Sequence, residues 1–416
     1  MYRETKPPST SIKVAFVVQR YGKTIIGGSE KLVSNYAKKL SEHLDWSIDI
    51  YTTTADNYLT WHHTFPVGKE KETNKITIFR YRPSRQKNTT IFRAYKFIMT
   101  PVANWLRKWK ISRKIAQFIE VIWINLQGPV CPKLLIDLKE NEHQYQKIFF
   151  FTYLYWPTIW GLSAFPNKAV VVPTAHDESP FYFSIVGNSL RCASHILAIS
   201  HSELLLLKER LPTCHDRIHL VGVGLESWCL EPLNPFKSIN QNYLLYLGRI
   251  SKGKNVHQLI SWYLNFMASS SSILPLVIAG KKDEHFSIVE NENIRFMGQV
   301  SEKERQRLIQ GASCVINPSL FESLSLIVIE ALAAGTPVLV NHHCPILQFY
   351  SSQSPIVFSY QTKEEFKTQL SKILALEKRG DWLEQSRIQS KEWAINEFKW
   401  SRVYHVMQST ISSSHP

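Results

Sequence analysis

The stretch Glu226–Gln241, ESWCLEPLNPFKSINQ, carries Pro232 and Pro235 and follows neither a helical nor a strand period. It interrupts a chain that otherwise alternates between short apolar runs and helix-like segments, so it reads as a domain boundary. Upstream, the strand-like runs are IKVAFVV (Ile12–Val18), SIDIYTT from Ser47, KITIFRY from Lys75, KIFFF (Lys147–Phe151), AVVVPT from Ala169, HILAIS (His195–Ser200) and RIHLVGVG from Arg217. Downstream they are YLLYLG (Tyr243–Gly248), LPLVIAG (Leu274–Gly280), IRFMG (Ile294–Gly298), CVINPS from Cys314 and TPVLV (Thr336–Val340). Short, apolar and β-branched, such runs suit parallel strands buried on both faces. A helix is expected from about Ser29 to His43, and a basic helical region over about 90–140. Two successive βα series predict an α/β protein with two Rossmann-like doubly wound domains facing a central cleft, 1–235 and 236–395. Ligands in such sheets sit at the carboxyl ends of the strands.

Composition agrees with two globular domains. The chain has 416 residues, 44% of them hydrophobic, enough for two cores of ordinary size. Six cysteines lack metal-ligand spacing and read as reduced thiols. The start, MYRETKPPSTSIKVAFVV, lacks a signal-peptide pattern, and the richest apolar run, IFFFTYLYWPTIWGL from Ile148, is broken by Pro157. The expected location is cytoplasmic. Net charge is +15, and the stretch from Arg80 to Lys114 holds eleven Lys/Arg and no Asp/Glu, interleaved with Phe92, Phe97, Ile98, Trp105 and Trp109. Such a segment suits an anionic membrane surface; a solvated basic face is the alternative. Nucleic acid is not expected, since no recognisable binding module accompanies the charge.

Four clusters carry chemistry. Gly27 and Gly28 follow the first strand and open a helix, where backbone can approach an anion, although a simple turn needs the same residues. Neither G-x-G-x-x-G nor a Walker sequence is present. The loop Leu247–Asn255, LGRISKGKN, places Arg249 and Lys254 after a strand, where a fork and a mobile point charge suit a diphosphate. The stretch Phe321–Pro337, FESLSLIVIEALAAGTP, places Glu322 in a loop and Glu330 inside an apolar helix, with Ser323 or Ser325 as the helix cap. A buried Glu330 needs a partner: a ribose diol, an internal Arg or a backbone cap. Finally, His176 ends a strand in TAHDE, with Asp177 and Glu178 beside it to pair with it or with sugar hydroxyls.

In this order, the glycine pair, the His, G-R-x4-K and E-x7-E with its trailing A-x-G-T-P-V resemble glycosyltransferase family 4, retaining transferases of the GT-B fold. The resemblance spans nearly the whole chain. It implies a hexose transferred from a nucleotide-diphosphate sugar, with GDP or UDP as the nucleotide, to a polysaccharide or lipid-linked saccharide. Arg249 and Lys254 would hold the donor diphosphate, Glu330 the ribose, and Glu322 the transferred sugar. The backbone of Ser323, Leu324, Ser325 and Leu326 would meet phosphate or sugar hydroxyls. His176 and Asp177 would position the sugar, and Gly27 and Gly28 would give the diphosphate room. A C-terminal segment, 396–416, would cross back to the first domain. The family's Lys is usually followed by Gly; here Asn255 follows, which leaves Lys252 as a competitor for the phosphate. Ser323 also replaces a frequent Gly.

Transfer builds negative charge on the leaving diphosphate, which fixed cations and a helix N-terminus can stabilise without a metal. No Asp-x-Asp motif is present, so no cofactor or metal is expected. Two other functions share the fold: a nucleotide-sugar 2-epimerase and a non-catalytic scaffold.

Overall fold

A computed structural model describes residues 12–22, 25, 27–106, 113–231, 243–269, 274–283, 286–287, 291–376 and 380–412. Packing divides the chain into Met1–Val221 with Tyr404–Pro416, and Gly222–Val403.

In the first unit the strands are β1 (Lys13–Val17), β2 (Ser47–Thr53), β3 (Gly68–Lys71), β4 (Ile76–Tyr81), β5 (Ile148–Phe151), β6 (Ala169–Val172), β7 (His195–Ala198) and β8 (Ile218–Leu220). They form one sheet in the order β3-β4-β2-β1-β5-β6-β7-β8. Only β3 is antiparallel to its neighbour. Helices α1 (Gly28–His43), α2 (Thr89–Leu106), α3 (Arg113–Gln127), α4 (Pro132–Glu140), α5 (Trp156–Ala164), α6 (Ser184–Arg191) and α7 (His201–Arg210) connect the strands. The run Phe149–Phe151 in β5 is wholly buried because both faces of the sheet are covered. Phe16 meets Phe149 and Phe151 edge-on, with centroids 5.4 and 5.0 Å apart. Each such ring contributes about 1.5–3 kcal/mol by its burial.

The second unit has β9 (Leu244–Leu247), β10 (Leu276–Ala279), β11 (Ile294–Gly298), β12 (Cys314–Asn317), β13 (Val338–Asn341) and β14 (Val357–Tyr360), all parallel, in the order β11-β10-β9-β12-β13-β14. Its helices are α8 (Val256–Ser269), α9 (Glu302–Gly311), α10 (Leu326–Ala333), α11 (Pro345–Gln353), α12 (Lys363–Leu376) and α13 (Gly380–Glu397); α14 (Trp400–Ser412) follows and continues into the first unit. This is the expected α/β class, with two doubly wound sheets. In each sheet the strand order reverses once, between β1 and β5 and between β9 and β12. Loops leaving those strands flank a topological switch point, where ligands bind in open α/β sheets.

Several details differ from the sequence reading. Strands β3 and β14 were not expected. The first reads GKEK and is exposed throughout, an edge strand whose charges protect it from further pairing rather than marking a core. The basic region over 90–140 is three helices. The packing borders fall at 221/222 and 403/404, not at 235/236 and 395/396. The Leu225 N–H donates to Phe398 O at 3.0 Å and Trp400 Nε1 donates to Leu225 O at 2.9 Å, so Gly222–Leu225 packs with the second unit. Pro232 and Pro235 lie outside the described residues. From the C-terminal segment, Tyr404 rests on His43 of α1, ring centroids 5.2 Å apart, within the first unit. All six cysteines are free thiols. No helix among the described residues is long and apolar enough to cross a membrane.

Candidate functional site

At the second switch point, the loop after β9 and the loop after β12 meet. The Ser251 hydroxyl accepts from the Lys254 N–H at 3.2 Å, turning the chain so that Lys254 Nζ reaches Glu322 Oε1 at 2.8 Å. Lys252, the competitor, is exposed. Asn255 has φ +59°, a left-handed conformation that Asn tolerates better than most residues. Its side chain also donates to Pro318 O at 3.1 Å. Asn thus stands where the resembled family has Gly: it meets the same backbone demand and adds a tie to the β12 loop. Arg249 is half-buried on the same loop, and its carbonyl accepts from the Tyr246 hydroxyl at 2.7 Å. A side chain on Gly280 is impossible, because its Cβ would lie 1.8 Å from Gly248 O. The ends of β9 and β10 therefore stay closely apposed behind Arg249.

The helix cap differs from expectation. Ser325 occupies the N-cap position of α10, but at φ +61° its hydroxyl does not cap the helix. Instead it accepts from Asn317 Nδ2 at 2.7 Å. Ser323 is half-buried in the preceding loop, and the buried Leu324 is held through its carbonyl by the Tyr350 hydroxyl at 2.6 Å. Left without a side-chain cap, the first-turn N–H groups ahead of Val328, whose own N–H donates to Ser325 O at 3.1 Å, suit an anion, which the helix dipole favours.

Glu330 finds its partner inside the protein. Arg305 of α9 donates from Nη1 to Glu330 Oε1 at 2.6 Å and pairs through Nη2 with Oε2. Burial draws the Arg305 guanidinium down, but Glu330 beside it outweighs that and holds it above its ordinary range. The internal-arginine alternative is therefore the contact in the structure. Nothing in the sequence near Glu330 announced Arg305, which lies 25 residues upstream.

In the first unit, Gly27 precedes α1 with ordinary extended backbone. It is required for a different reason: an added Cβ would lie 2.0 Å from Glu30 Oε2. Glu30 is buried, ion-paired to Arg20 at 2.5 Å and bonded to Gln19 Nε2 at 3.1 Å. Gln19 Oε1 accepts from Thr152 at the end of β5, 2.9 Å away, so the network bridges the first switch point. Around Gly28 there is open space. Gly27→Ala is expected to cost about 1–3 kcal/mol by overpacking. Gly28→Ala should be neutral or slightly stabilising, since it places Ala in a helix. Urea unfolding of the two variants checks this; equal losses would sink the distinction.

His176 Nε2 lies 3.3 Å from Glu178 Oε1. Burial pushes the Glu178 carboxyl up, but the hydrogen bond and charge of His176, with help from Tyr153, hold it below the ordinary range. The neighbour that meets His176 is thus Glu178. Asp177 is exposed and accepts from the Tyr182 hydroxyl at 2.8 Å.

The sequence reading missed Glu203. Fully buried in the first turn of α7, it accepts from the Ala175 N–H at 2.5 Å and the Ile199 N–H at 2.7 Å. It thereby ties the His176 loop to the end of β7. The Ser200-x-x-Glu203 spacing, a capping-box pattern, was the available signal. Burial pushes the Glu203 carboxyl up to about 8, against the pull of those two N–H groups. Between about 4.5 and about 8 the folded chain holds a proton that the unfolded chain has released, so this group's contribution to stability falls as pH rises through that window. Relative to Glu203→Gln, the wild type should therefore lose a few kcal/mol, on the order of 1.4 per pH unit, over that interval. Parallel pH–stability curves for the two proteins would contradict this.

Comparison with known proteins bears on the fold and on the second unit. Residues 234–389 match the family model described as Glycosyl transferases group 1. The O-antigen chain mannosyltransferase RfbU of Salmonella typhimurium is 23% identical over 238 residues, 50% of this chain and 65% of that relative, so the chain spans just under two thirds of that relative's length. Sucrose-phosphate synthase from Thermosynechococcus elongatus superposes with a TM-score of 0.68 at 15% identity, over 96% of this chain and 98% of that one. Anabaena HepE, solved in complex with UDP and glucose, gives 0.60 at 13% identity over 97% and 100%. The chain therefore has the GT-B fold, and its second unit carries the segment that resembles Glycosyl transferases group 1.

Proposed function

We propose that the chain is a glycosyltransferase that moves a hexose from a UDP- or GDP-sugar to a polysaccharide or lipid-linked saccharide. The observation that carries this reading is the meeting of Lys254 and Glu322, 2.8 Å apart, beside the uncapped start of α10 at the β9/β12 switch point. A cation, a carboxylate and a helix N-terminus at one strand end suit a diphosphate joined to a sugar. Arg249 and Lys254 hold the diphosphate, Glu322 the sugar, and Glu330, oriented by Arg305, the ribose. For His176 the proposed role is positioning the transferred sugar, with Glu178 fixing its ring. The glycosidic C–O bond breaks as the acceptor oxygen bonds to the anomeric carbon on the same face. The leaving phosphate oxygen takes the acceptor proton, so configuration is retained. Cationic groups at the diphosphate support a metal-independent reaction. The relatives' names support glycan synthesis, and the basic stretch 80–114 supports a place at the inner face of a membrane.

Thermal shift with UDP, GDP and ADP, with and without EDTA, tests this on wild type and Lys254→Ala. One nucleotide should stabilise wild type equally with chelator, and the variant should lose that shift. Binding only with Mg²⁺ would end the metal-free mechanism. No binding of any of the three would move a non-catalytic scaffold to first place.

A further inference from the structure

The basic stretch Arg80–Lys114 is not one surface. Its first four cations are engaged in the body of the first unit. Arg80 is buried and donates to Tyr21 O at 2.6 Å; Arg82 donates to His63 at 2.9 Å, Arg85 to Asn125 O at 2.5 Å, and Lys87 to Gln127 Oε1 at 2.6 Å. What faces outward lies further along, on the α2–α3 hairpin. Two contacts set its antiparallel register: Phe92 meets Trp123 edge-on at 5.3 Å, and Tyr95 donates to Ile119 O at 2.9 Å. One face of α2 is thereby used against α3. Ile98, Val102 and Trp105, spaced four and three residues apart, form a second apolar stripe that is exposed. Phe97 is 84% exposed, and across the hairpin, on the first turns of α3, Ile115 is exposed and Phe118 is 65% exposed. The register brings the late part of α2 and the early part of α3 to the same end. Arg93, Lys96 and Lys114 are exposed around them, with no acidic residue between Arg80 and Lys114.

We infer that the exposed residues of late α2 and early α3 insert into an anionic lipid bilayer, their aromatic and aliphatic side chains entering the acyl boundary and their cations resting on headgroup phosphates. Charge chooses the occupant: water does not favour so many large apolar side chains on one hairpin end, and the cations around them match acidic headgroups rather than a second copy of a chain that is itself +15. The sequence alone pointed to adsorption along 80–114; the structure moves the contact past Lys87 and extends it to Phe118. The inference rests on the membrane-peripheral reading above and names its surface.

The test is flotation of the full chain with phosphatidylcholine vesicles, with and without phosphatidylglycerol, for wild type and a Phe97→Asp/Phe118→Asp variant, alongside size-exclusion chromatography. Wild type should float with the anionic vesicles, and the variant should bind them at least about ten-fold more weakly. An unchanged melting temperature of the variant guards against unfolding. Equal binding by the variant overturns the hairpin as the contact while leaving a peripheral chain standing. Failure of wild type to bind either vesicle, or a wild-type dimer that the variant dissolves, overturns the inference outright. Nucleotide binding by the variant stays unchanged in each case, which separates this result from the transferase reading.

Discussion

Glu330→Ala is expected to lower the melting temperature by roughly 10 °C, the largest stability effect at the site. The pair it breaks is buried: Glu330 is 3% exposed, and the Arg305 side chain is 11% exposed. Removing the carboxylate leaves a guanidinium that cannot lose its proton with the exposed Glu302, 3.5 Å away, in place of its buried partner, and breaking such a buried pair from one side costs about 3–5 kcal/mol. For a folding unit of this size each kcal/mol shifts the midpoint by about 2–4 °C. Arg305→Met should cost a similar amount, because it leaves Glu330 buried and unbalanced. The double variant Arg305→Met/Glu330→Leu should recover most of the loss, since apolar groups of similar volume need no charge partner. A thermal double-mutant cycle measures this. If the two single losses simply add, the pair is not the unit described above. Glu330→Ala is for the same reason a poor probe of donor binding: it removes a proposed ribose contact and the fold's internal charge balance together.

That pair also marks the limit of what the sequence made legible. Apart from β3 and β14, the strands of both sheets were readable because buried parallel strands are unbroken apolar runs, as in Phe149–Phe151. The strand-end positions of His176, Arg249 and Glu322 followed from the same alternation. Long-range partners did not follow, because a partner is set by tertiary packing rather than by spacing. Arg305 sits on an otherwise solvated-looking helix, EKERQRLIQG, and only folding turns it onto Glu330. Glu203 was hidden for a related reason, since a carboxylate in a first helical turn ordinarily caps its own helix, whereas this one reaches the N–H of Ala175. Ser325 misled in the opposite direction: a serine before an apolar run signals a cap, yet Asn317 captures its hydroxyl. The glycine pair was legible as a requirement for space, but at Gly27 the space is filled by the Glu30 carboxylate.

Lys254→Ala is expected to lower kcat by about 10²–10³-fold, the size of effect that follows loss of one preorganised charge on a developing anion. Stability should hardly move, because the Lys254–Glu322 pair is partly exposed, with Lys254 at 33%, and pairs of that kind are worth about 0–1 kcal/mol. Lys252→Ala provides the contrast. Its side chain is exposed, so its loss should change kcat less than about two-fold, as for a solvated surface charge. Glu322→Gln separates the two halves of the donor. In the resting site Glu322 neutralises Lys254 and faces any incoming phosphate with like charge. Removing that charge should tighten binding of the bare nucleoside diphosphate by roughly three- to ten-fold, a gain on the scale of a screened contact between like charges. The nucleotide-sugar should gain nothing, because the sugar loses its carboxylate partner at the same time. Calorimetry with UDP and GDP, and then with their hexose conjugates, reads both effects. Should Lys252→Ala cost as much as Lys254→Ala, the phosphate role belongs to the exposed lysine. The Lys254–Glu322 contact would then be a structural tie between the β9 and β12 loops, not the seat of the leaving group.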